Sequence, residues 1–168
     1  MARRSKPHSG VTLSHIGPDG APRMVDVTAK AATLREAVAR GRAFMAPSTR
    51  RLVEEGKGPK GDVISVARLA GIMAAKQTST LIPLCHPLAL SAVDVQLRPR
   101  RDGFEIEARV RTAGQTGVEM EALTAVAVAA LTLYDMVKAA DRTVVIGEIR
   151  LIAKSGGRSG SWRRPRGV

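Results

Sequence analysis

Residues 93–111 read VDVQLRPRRDGFEIEARVR. In both halves of this stretch, apolar and polar residues alternate with a period of two, which predicts two strands that each have one solvent-facing side. The link at 99–103 contains proline, aspartate and glycine, which are typical turn residues, so we expect the strands to form an antiparallel hairpin. This hairpin is the strongest indication of the fold class.

Helical patterns precede and follow the hairpin. Short helices are predicted at 48–56 and 62–76, the second capped by its aspartate, and the two prolines of 81–87 favour an irregular loop. A long, nearly all-apolar helix at 122–139 and a last strand within 144–154 follow. We therefore predict an α+β domain with helices packed on one face of an antiparallel sheet.

One further helix is predicted at the N-terminal side. Thr33 and Glu36 have the spacing of a capping box, and apolar residues follow at helical intervals. This helix is expected to end near Met45, where Pro47 stops it.

The length and charge limit the domain organisation. The chain has 168 residues and a net charge of +12, from 27 Lys and Arg against 15 Asp and Glu. We expect one domain at 11–160, with disordered basic tails at 1–10 and 161–168, because the tails have almost nothing to bury.

The expected location is cytoplasmic. Cys85 is the only cysteine, which fits a reducing compartment and excludes an intrachain disulfide. The N-terminus has no apolar signal segment, and the apolar stretch 122–134 is shorter than the roughly 20 residues that cross a bilayer. The histidines have no spacing that indicates a metal site.

Asp135 and Lys138 are candidates for proton transfer. They lie three residues apart near the polar end of the long helix and therefore share one face. An acid and an amine on one face transfer protons if burial shifts their pKa values. Taken alone, the pair is better explained as a surface ion pair.

Glu119 and Glu121 are two residues apart. At a strand end their carboxylates would point the same way, whereas the alternative is a helix start at which one acid interacts with the helix dipole. The composition favours neither. At about 1.5 Å per helical residue, Glu121 and Asp135 would lie on the order of 20 Å apart, so a site that uses both should be shared between subunits.

Two glycine-rich basic stretches could bind an anion. Residues 56–61 resemble a dinucleotide-binding motif in spacing, but they follow a helix and contain proline, so that reading is rejected, and a mobile loop that brings Lys60 to phosphate remains. In 154–160, backbone amides could form an anion nest beside Lys154. The alternative for the second stretch is a solvated linker.

Cys85 and His86 are adjacent in the proline-bounded loop. Neighbours on an extended loop diverge, so a nucleophile and base pair is disfavoured and a buried structural cysteine is preferred. His86 is a candidate for binding or proton transfer.

Taken together, these segments resemble the molybdenum cofactor biosynthesis protein C family, the cyclic pyranopterin monophosphate synthases. The resemblance covers 13–160 and rests on ordered motifs: MVDV (24–27), KGDV (60–63), AGI (70–72), LIPLCHPL (81–88), TGVEMEALTA (116–125), YDM (134–136) and LIAKSGG (151–157).

The resemblance implies a lyase that converts 3',8-cyclo-7,8-dihydroguanosine 5'-triphosphate to cyclic pyranopterin monophosphate and releases pyrophosphate. It implies a ferredoxin-like subunit in a homohexamer, a trimer of dimers with pockets at subunit interfaces. A radical S-adenosylmethionine GTP cyclase would supply the nucleotide-derived substrate. No metal or organic cofactor and no membrane or specific nucleic-acid partner is implied.

The resemblance also assigns roles. Asp135 and Lys138 would be the acid/base pair and Lys60 a further essential amine. The residues that would bind substrate are Leu84, Cys85, His86, Glu119, Met120, Glu121 and Lys154. Gln115 and Arg158 stand where the family commonly has lysine, and the first change removes a charge.

Two other function classes compete. The charge of +12 favours a nucleic-acid-binding module, but the chain has only four aromatic residues and no known motif. A structural oligomer without chemistry would explain the alanine-rich helix but not the polar clusters.

Overall fold

The computed structural model describes residues 15–165. In chain order, its elements are β1 (Thr33–Phe44), α1 (Pro47–Glu54), α2 (Val63–Lys76), α3 (Thr78–Leu81), β2 (Leu90–Arg100), β3 (Gly103–Gly114), α4 (Glu119–Val137), β4 (Val145–Ser155) and β5 (Trp162–Arg163). The tail predicted at 1–10 lies outside the described residues.

The strands form one antiparallel sheet in the order β2-β3-β1-β4-β5. Without β5, this is the βαββαβ connectivity of a ferredoxin-like fold. The long helices α2 and α4 pack against each other and against the sheet. The predicted α+β class, with helices against an antiparallel sheet, is confirmed.

The core is mainly aliphatic and lies between the sheet and α4. Phe104, Ile106 and Val110 of β3 are fully buried, as are Ala129 and Leu133 of α4. Because many core residues are alanines, the backbones approach closely, and α4 is held along most of its length.

The prediction of a helix from residue 34 to Met45 is wrong, because this segment is the central strand β1. It pairs with β3 on one side and β4 on the other, which satisfies its backbone groups in the sheet. Glu36 does not cap a helix but accepts hydrogen bonds from Arg109 and Arg111 of β3. Pro47 does not end a helix but lies in the first turn of α1.

Other predicted elements are confirmed, including the β2–β3 hairpin. The Asp62 side chain accepts from the Ser65 amide and caps α2, which ends at Lys76 as expected. The long helix α4 begins at Glu119, three residues before its predicted start.

The early start of α4 changes two sequence inferences. Glu119 and Glu121 lie in the first helical turn, so the strand-end alternative is wrong. With 19 residues, α4 is also long and apolar enough to cross a membrane by length and composition. It is instead the core helix of this fold, since more than half of it is buried against the sheet and α2.

The structure of the C-terminal segment also differs from the prediction. Residues 161–168 were expected to be a disordered tail, but Trp162–Arg163 forms β5 along the edge of β4. Backbone hydrogen bonding explains the difference, because an edge strand offers partners to a segment with little to bury. Residues 166–168 lie outside the described residues.

Candidate active site

Three of the predicted catalytic side chains meet at the C-terminal end of α4. Lys60 Nζ lies 2.6 Å from Asp135 Oδ2, and Lys138 Nζ lies 2.7 Å from Asp135 Oδ1. We call these three residues the lysine–aspartate cluster. Asp135 and Lys138 share a helical face, whereas Lys60 comes from the loop between α1 and α2.

The loop that carries Lys60 is fixed on its C-terminal side. Gly61 has a φ of +94°, a left-handed conformation that glycine adopts without strain. The Asp62 cap follows immediately and starts α2. Lys60 is thereby placed at the junction of loop and helix, within reach of α4.

The electrostatics of the lysine–aspartate cluster favour the charged forms. Hydrogen bonds from Lys138 and then Lys60 lower the pKa of Asp135 from 3.8 to about 2. The bond to Asp135 raises the pKa of Lys138 above its ordinary value. The three side chains are about half exposed, so solvent screens the pairs and they add little to stability. The cluster can supply ammonium donors and a carboxylate to a bound molecule.

A second group lies at the N-terminal end of α4. Glu121 is 4% exposed, and burial raises its pKa, with a smaller contribution from the charge of Glu119. Burial and the charge of Glu121 raise the pKa of the Cys85 thiol. Cys85 is therefore protonated at neutral pH, and it is partly buried, whereas the sequence favours a buried structural cysteine.

The loop that carries Leu84, Cys85 and His86 is irregular, as predicted. The Cys85 amide donates to the Ile82 carbonyl at 3.1 Å. His86 Nε2 lies 2.8 Å from the Val25 carbonyl oxygen, so the ring is oriented by the segment that precedes β1. All three residues are partly buried.

A cavity of about 570 Å³ lies beside Glu119. Lys154 Nζ is 3.6 Å from Glu119 Oε1 and 2.6 Å from Ser159 Oγ. The residues that line the cavity come from the segment before β1, from β1 itself, from the β3–α4 link and the start of α4, and from the end of β4 and the turn that follows it. They are Lys30, Ala31, Thr33, Arg35, Glu36, Gln115, Thr116, Gly117, Glu119, Lys154, Ser155, Gly156, Gly157, Arg158 and Ser159.

The cavity is basic overall and its wall is tightly built. Lys30, Arg35, Lys154 and Arg158 outnumber the two lining glutamates. Gly156 has a φ of +94°, and a Cβ there would lie 2.2 Å from the backbone carbonyl oxygen of Leu34, so this position requires glycine. This arrangement suits an anion with several charges.

Two basic residues of this wall, Lys30 and Arg35, were not predicted from the sequence. Arg35 lies on β1, which was predicted to be helical, and its guanidinium donates to the carbonyls of Gly114 and Gln115. Lys30 follows the MVDV motif by three residues, and that proximity is the signal that could have identified it. Gln115, which replaces an expected lysine, donates to the Thr28 carbonyl.

The structure brings the predicted site residues together as two separate groups. The lysine–aspartate cluster lies at one end of α4, whereas Glu119, Met120 and Glu121 lie in its first turn. Glu121 and Asp135 are 14 positions apart, which corresponds to about 21 Å of helix at 1.5 Å per residue. Within residues 15–165, no group of three or more His, Cys, Asp and Glu side chains is arranged to hold a metal ion.

Comparison with known proteins gives consistent results. Residues 24–157 match the sequence model of the MoaC family. A protein of Chloroflexus aurantiacus named cyclic pyranopterin monophosphate synthase is 64% identical over 156 residues, which cover 92% of this chain and 96% of that protein. Proteins of the same name are 63% identical in Pelotomaculum thermopropionicum and 61% identical in Thermomicrobium roseum. Each of these two matches covers 154 residues and 90% of this chain, with 91% and 93% of the relative, respectively.

Proposed function

This chain belongs to the MoaC family, and from that premise we propose that it is a cyclic pyranopterin monophosphate synthase of molybdenum cofactor biosynthesis. Its substrate would be 3',8-cyclo-7,8-dihydroguanosine 5'-triphosphate, and its products cyclic pyranopterin monophosphate and pyrophosphate. The observation that carries the proposal is the contact of both Lys60 and Lys138 with Asp135. This contact brings together two family motifs that are distant in sequence, KGDV (60–63) and YDM (134–136).

The charge of the substrate fits the cavity beside Glu119. A triphosphate needs several cations, and Lys154 lines this cavity together with Lys30 and two arginines. Closure of a cyclic phosphate displaces pyrophosphate, so negative charge builds on the leaving group and nearby cations stabilise it. We assign substrate binding to the residues that the family motifs mark, of which Glu119 and Lys154 line this cavity: Leu84, Cys85, His86, Glu119, Met120, Glu121 and Lys154.

Proton transfer is assigned to the lysine–aspartate cluster. Rearrangement of the ring requires a group that gives a proton and a group that accepts one. Lys138 is an ammonium in the resting state and can donate, after which the neutral amine can accept. Asp135 holds this amine in place and stabilises its charged form, and Lys60 supplies a second ammonium.

We propose that a complete site is shared between subunits. The two groups lie at opposite ends of α4, too far apart for one bound nucleotide to contact both within a single chain. Association of subunits would bring the cluster of one chain to the cavity of another. Exposed Leu69 and Met73 on α2 and Leu131 on α4 are apolar surface that such an assembly could cover, and a hexamer of three dimers is our expectation.

The proposal also places the enzyme in a sequence of reactions. Its substrate is a cyclised dihydro-GTP, so a radical S-adenosylmethionine GTP cyclase would act before it. We expect a cytoplasmic enzyme that uses no metal or organic cofactor.

Single-turnover conversion tests the proposed function. Purified protein in excess over the cyclised dihydro-GTP should form cyclic pyranopterin monophosphate and pyrophosphate in equal amounts. Absence of both products from a folded, full-length oligomer would refute the proposal. Pyrophosphate without the cyclic phosphate would indicate hydrolysis of the triphosphate instead.

A further inference from the structure

The short strand β5 lies next to the residues that form the basic wall of the cavity. Trp162 pairs with Lys154 and Arg163 pairs with Ala153 in the antiparallel ladder. Lys154 is the last-but-one residue of β4, and it pairs with a residue of β5. Any change in β5 acts directly on the backbone that carries this cavity lysine.

Arg164 extends this attachment beyond the ladder. Its amide donates to the Ile152 carbonyl at 2.8 Å, and its side-chain Nε donates to the Leu151 carbonyl at 2.8 Å. The guanidinium also lies over the Trp162 ring, 6.0 Å from its centroid. One residue thus satisfies two carbonyl groups along the exposed edge of β4.

Between the two strands, residues 156–161 form a glycine-rich turn. Gly156, Gly157 and Gly160 all have positive φ values, and the Gly160 amide donates to the Gly157 carbonyl at 3.1 Å. A turn with three glycines loses much conformational entropy when it is ordered. Pairing of β4 with β5 fixes both ends of the turn and so reduces the conformational freedom of its backbone.

The glycine-rich turn supplies much of the cavity wall. Ser155, Gly156, Gly157, Arg158 and Ser159 all line the cavity, and Ser159 accepts a hydrogen bond from Lys154 Nζ. The position of the Lys154 ammonium therefore depends on the turn, and the turn depends on β5. This dependence connects the C-terminal segment to the binding of the ligand.

We propose that residues 161–164 are positioning residues that order the glycine-rich turn and hold Lys154 in place for the phosphate groups of the substrate. This inference rests on the proposed function for the identity of the substrate. It gives a role to part of the segment 161–168, which the sequence predicts to be a disordered tail. The lysine–aspartate cluster lies at the other end of α4, so β5 affects binding of the substrate and not the proton transfers.

Two truncated proteins test this proposal. One ends after Pro165 and keeps β5, whereas the other ends after Gly160 and lacks it. Relative to the full chain, we expect the first to be unchanged and the second to show a KM raised about tenfold with kcat within about twofold. The proposal would be overturned if the two truncated proteins had the same KM. It would also be overturned if the protein that ends after Gly160 lost kcat without a change in KM.

A pair of substitutions at one position keeps the test valid if the truncated chain does not fold. Arg164→Pro removes the backbone donor to Ile152 and the side-chain donor, whereas Arg164→Ala removes only the side-chain donor. We expect KM to rise more in Arg164→Pro than in Arg164→Ala, with the same melting temperature for both oligomers. Equal KM values in the two variants and the parent chain would contradict the role of β5.

Two measurements separate this inference from the proposed function. Hydrogen exchange at residues 156–159 should be faster in the protein that ends after Gly160 than in the one that ends after Pro165. Binding of inorganic tripolyphosphate should weaken by a similar factor to the change in KM. If the full chain shows no turnover, the proposed function fails, while these two measurements still decide whether β5 orders the turn and its anion site.

Discussion

Lys60 Nζ lies 2.6 Å from Asp135 Oδ2, although 75 residues separate the two side chains in sequence. Lys138 occupies the other oxygen of the same carboxylate. Both oxygens therefore face ammonium groups in the resting structure. Asp135 can accept a proton only after one lysine has moved or has given up its own proton. This favours a role in which Asp135 positions the two lysines and stabilises their ammonium forms.

Replacement of Asp135 by asparagine should abolish most of the activity. The amide of asparagine is not charged, so Lys138 loses the partner that stabilises its ammonium form, and we expect the single-turnover rate to fall at least about 100-fold. The melting temperature should hardly change, because these pairs are half exposed.

The control for this substitution is Glu54→Gln. It removes an exposed carboxylate that pairs with Arg50 on α1 and lies outside the proposed site. A rate near that of the parent chain in Asp135→Asn would remove Asp135 from the reaction.

The low pKa of Asp135 should depend on both lysines. Removal of a cation and hydrogen-bond donor destabilises the carboxylate, so Lys138→Ala and Lys60→Ala should each raise this pKa from about 2 towards 3.8. The larger rise is expected for Lys138→Ala, since its hydrogen bond has the larger effect. Carboxyl carbon chemical shifts followed by NMR against pH measure the value. An unchanged pKa in both variants would contradict the observed contacts.

The thiol of Cys85 should report on Glu121. Burial and the Glu121 charge both raise the pKa of Cys85, so Glu121→Gln should lower that pKa while burial still keeps it above its ordinary value. The rate of alkylation by iodoacetamide against pH measures the shift, and Cys85 is the only cysteine in the chain. Relative to the parent chain, the plot of alkylation rate against pH should shift to lower pH in Glu121→Gln and should be unchanged in Glu54→Gln. A profile that moves in neither variant would show that the two groups do not interact.

Asp141 should contribute to the stability of the fold. Its buried carboxylate accepts from the Ala46 amide, from the Thr49 hydroxyl and from both the amide and hydroxyl of Thr143. Asp141→Ala leaves these donors without a partner, so we expect the free energy of unfolding to fall by about 2 kcal/mol. Asp94→Ala, which removes an exposed carboxylate, should cost less than about 0.5 kcal/mol.

The same carboxylate gives the stability a pH dependence. Hydrogen bonds, of which the one from Thr143 is the strongest, lower the pKa of Asp141 from 3.8 to about 2. Because the folded-state pKa is depressed, this contribution is present above pH 4 and is lost as the pH falls towards 2. Urea unfolding should therefore show a smaller loss of stability between pH 4 and pH 2 in Asp141→Ala than in the parent chain. Equal losses in both proteins would contradict this assignment.

The parts of the fold that could be predicted are those in which the local sequence pattern indicates only one type of secondary structure. In 93–111, charged residues mark the solvent face of each strand, and the turn composition fixes their pairing. In 33–44, the buried positions of β1 are three alanines, a glycine and Val38, and the small residues among them suit a strand crossed closely by α4. Alanine favours helices and the capping-box spacing occurred by chance, so tertiary pairing overrode the local pattern.

The candidate site was predictable only in part. The spacing of Asp135 and Lys138 indicated a shared helical face, but no local pattern places Lys60 beside them, and its assignment came from the family resemblance. Arg35 was missed because its strand was predicted to be a helix. The two-residue β5 was missed because its order comes from hydrogen bonds to the edge of β4 and not from buried side chains.

The central claim is that one site combines the lysine–aspartate cluster of one subunit with the cavity of another. Mixed oligomers test it most directly. Asp135→Ala and Lys154→Ala subunits should each be nearly inactive alone at substrate concentrations below the KM of the parent chain. After subunit exchange their mixture should recover about one quarter of the parent activity, since half of randomly formed pairs are mixed and each has one intact site. Mixtures of Lys60→Ala with Asp135→Ala should stay inactive, because both lesions fall in the same cluster. No recovery in the first mixture, after exchange has been verified, would contradict a shared site.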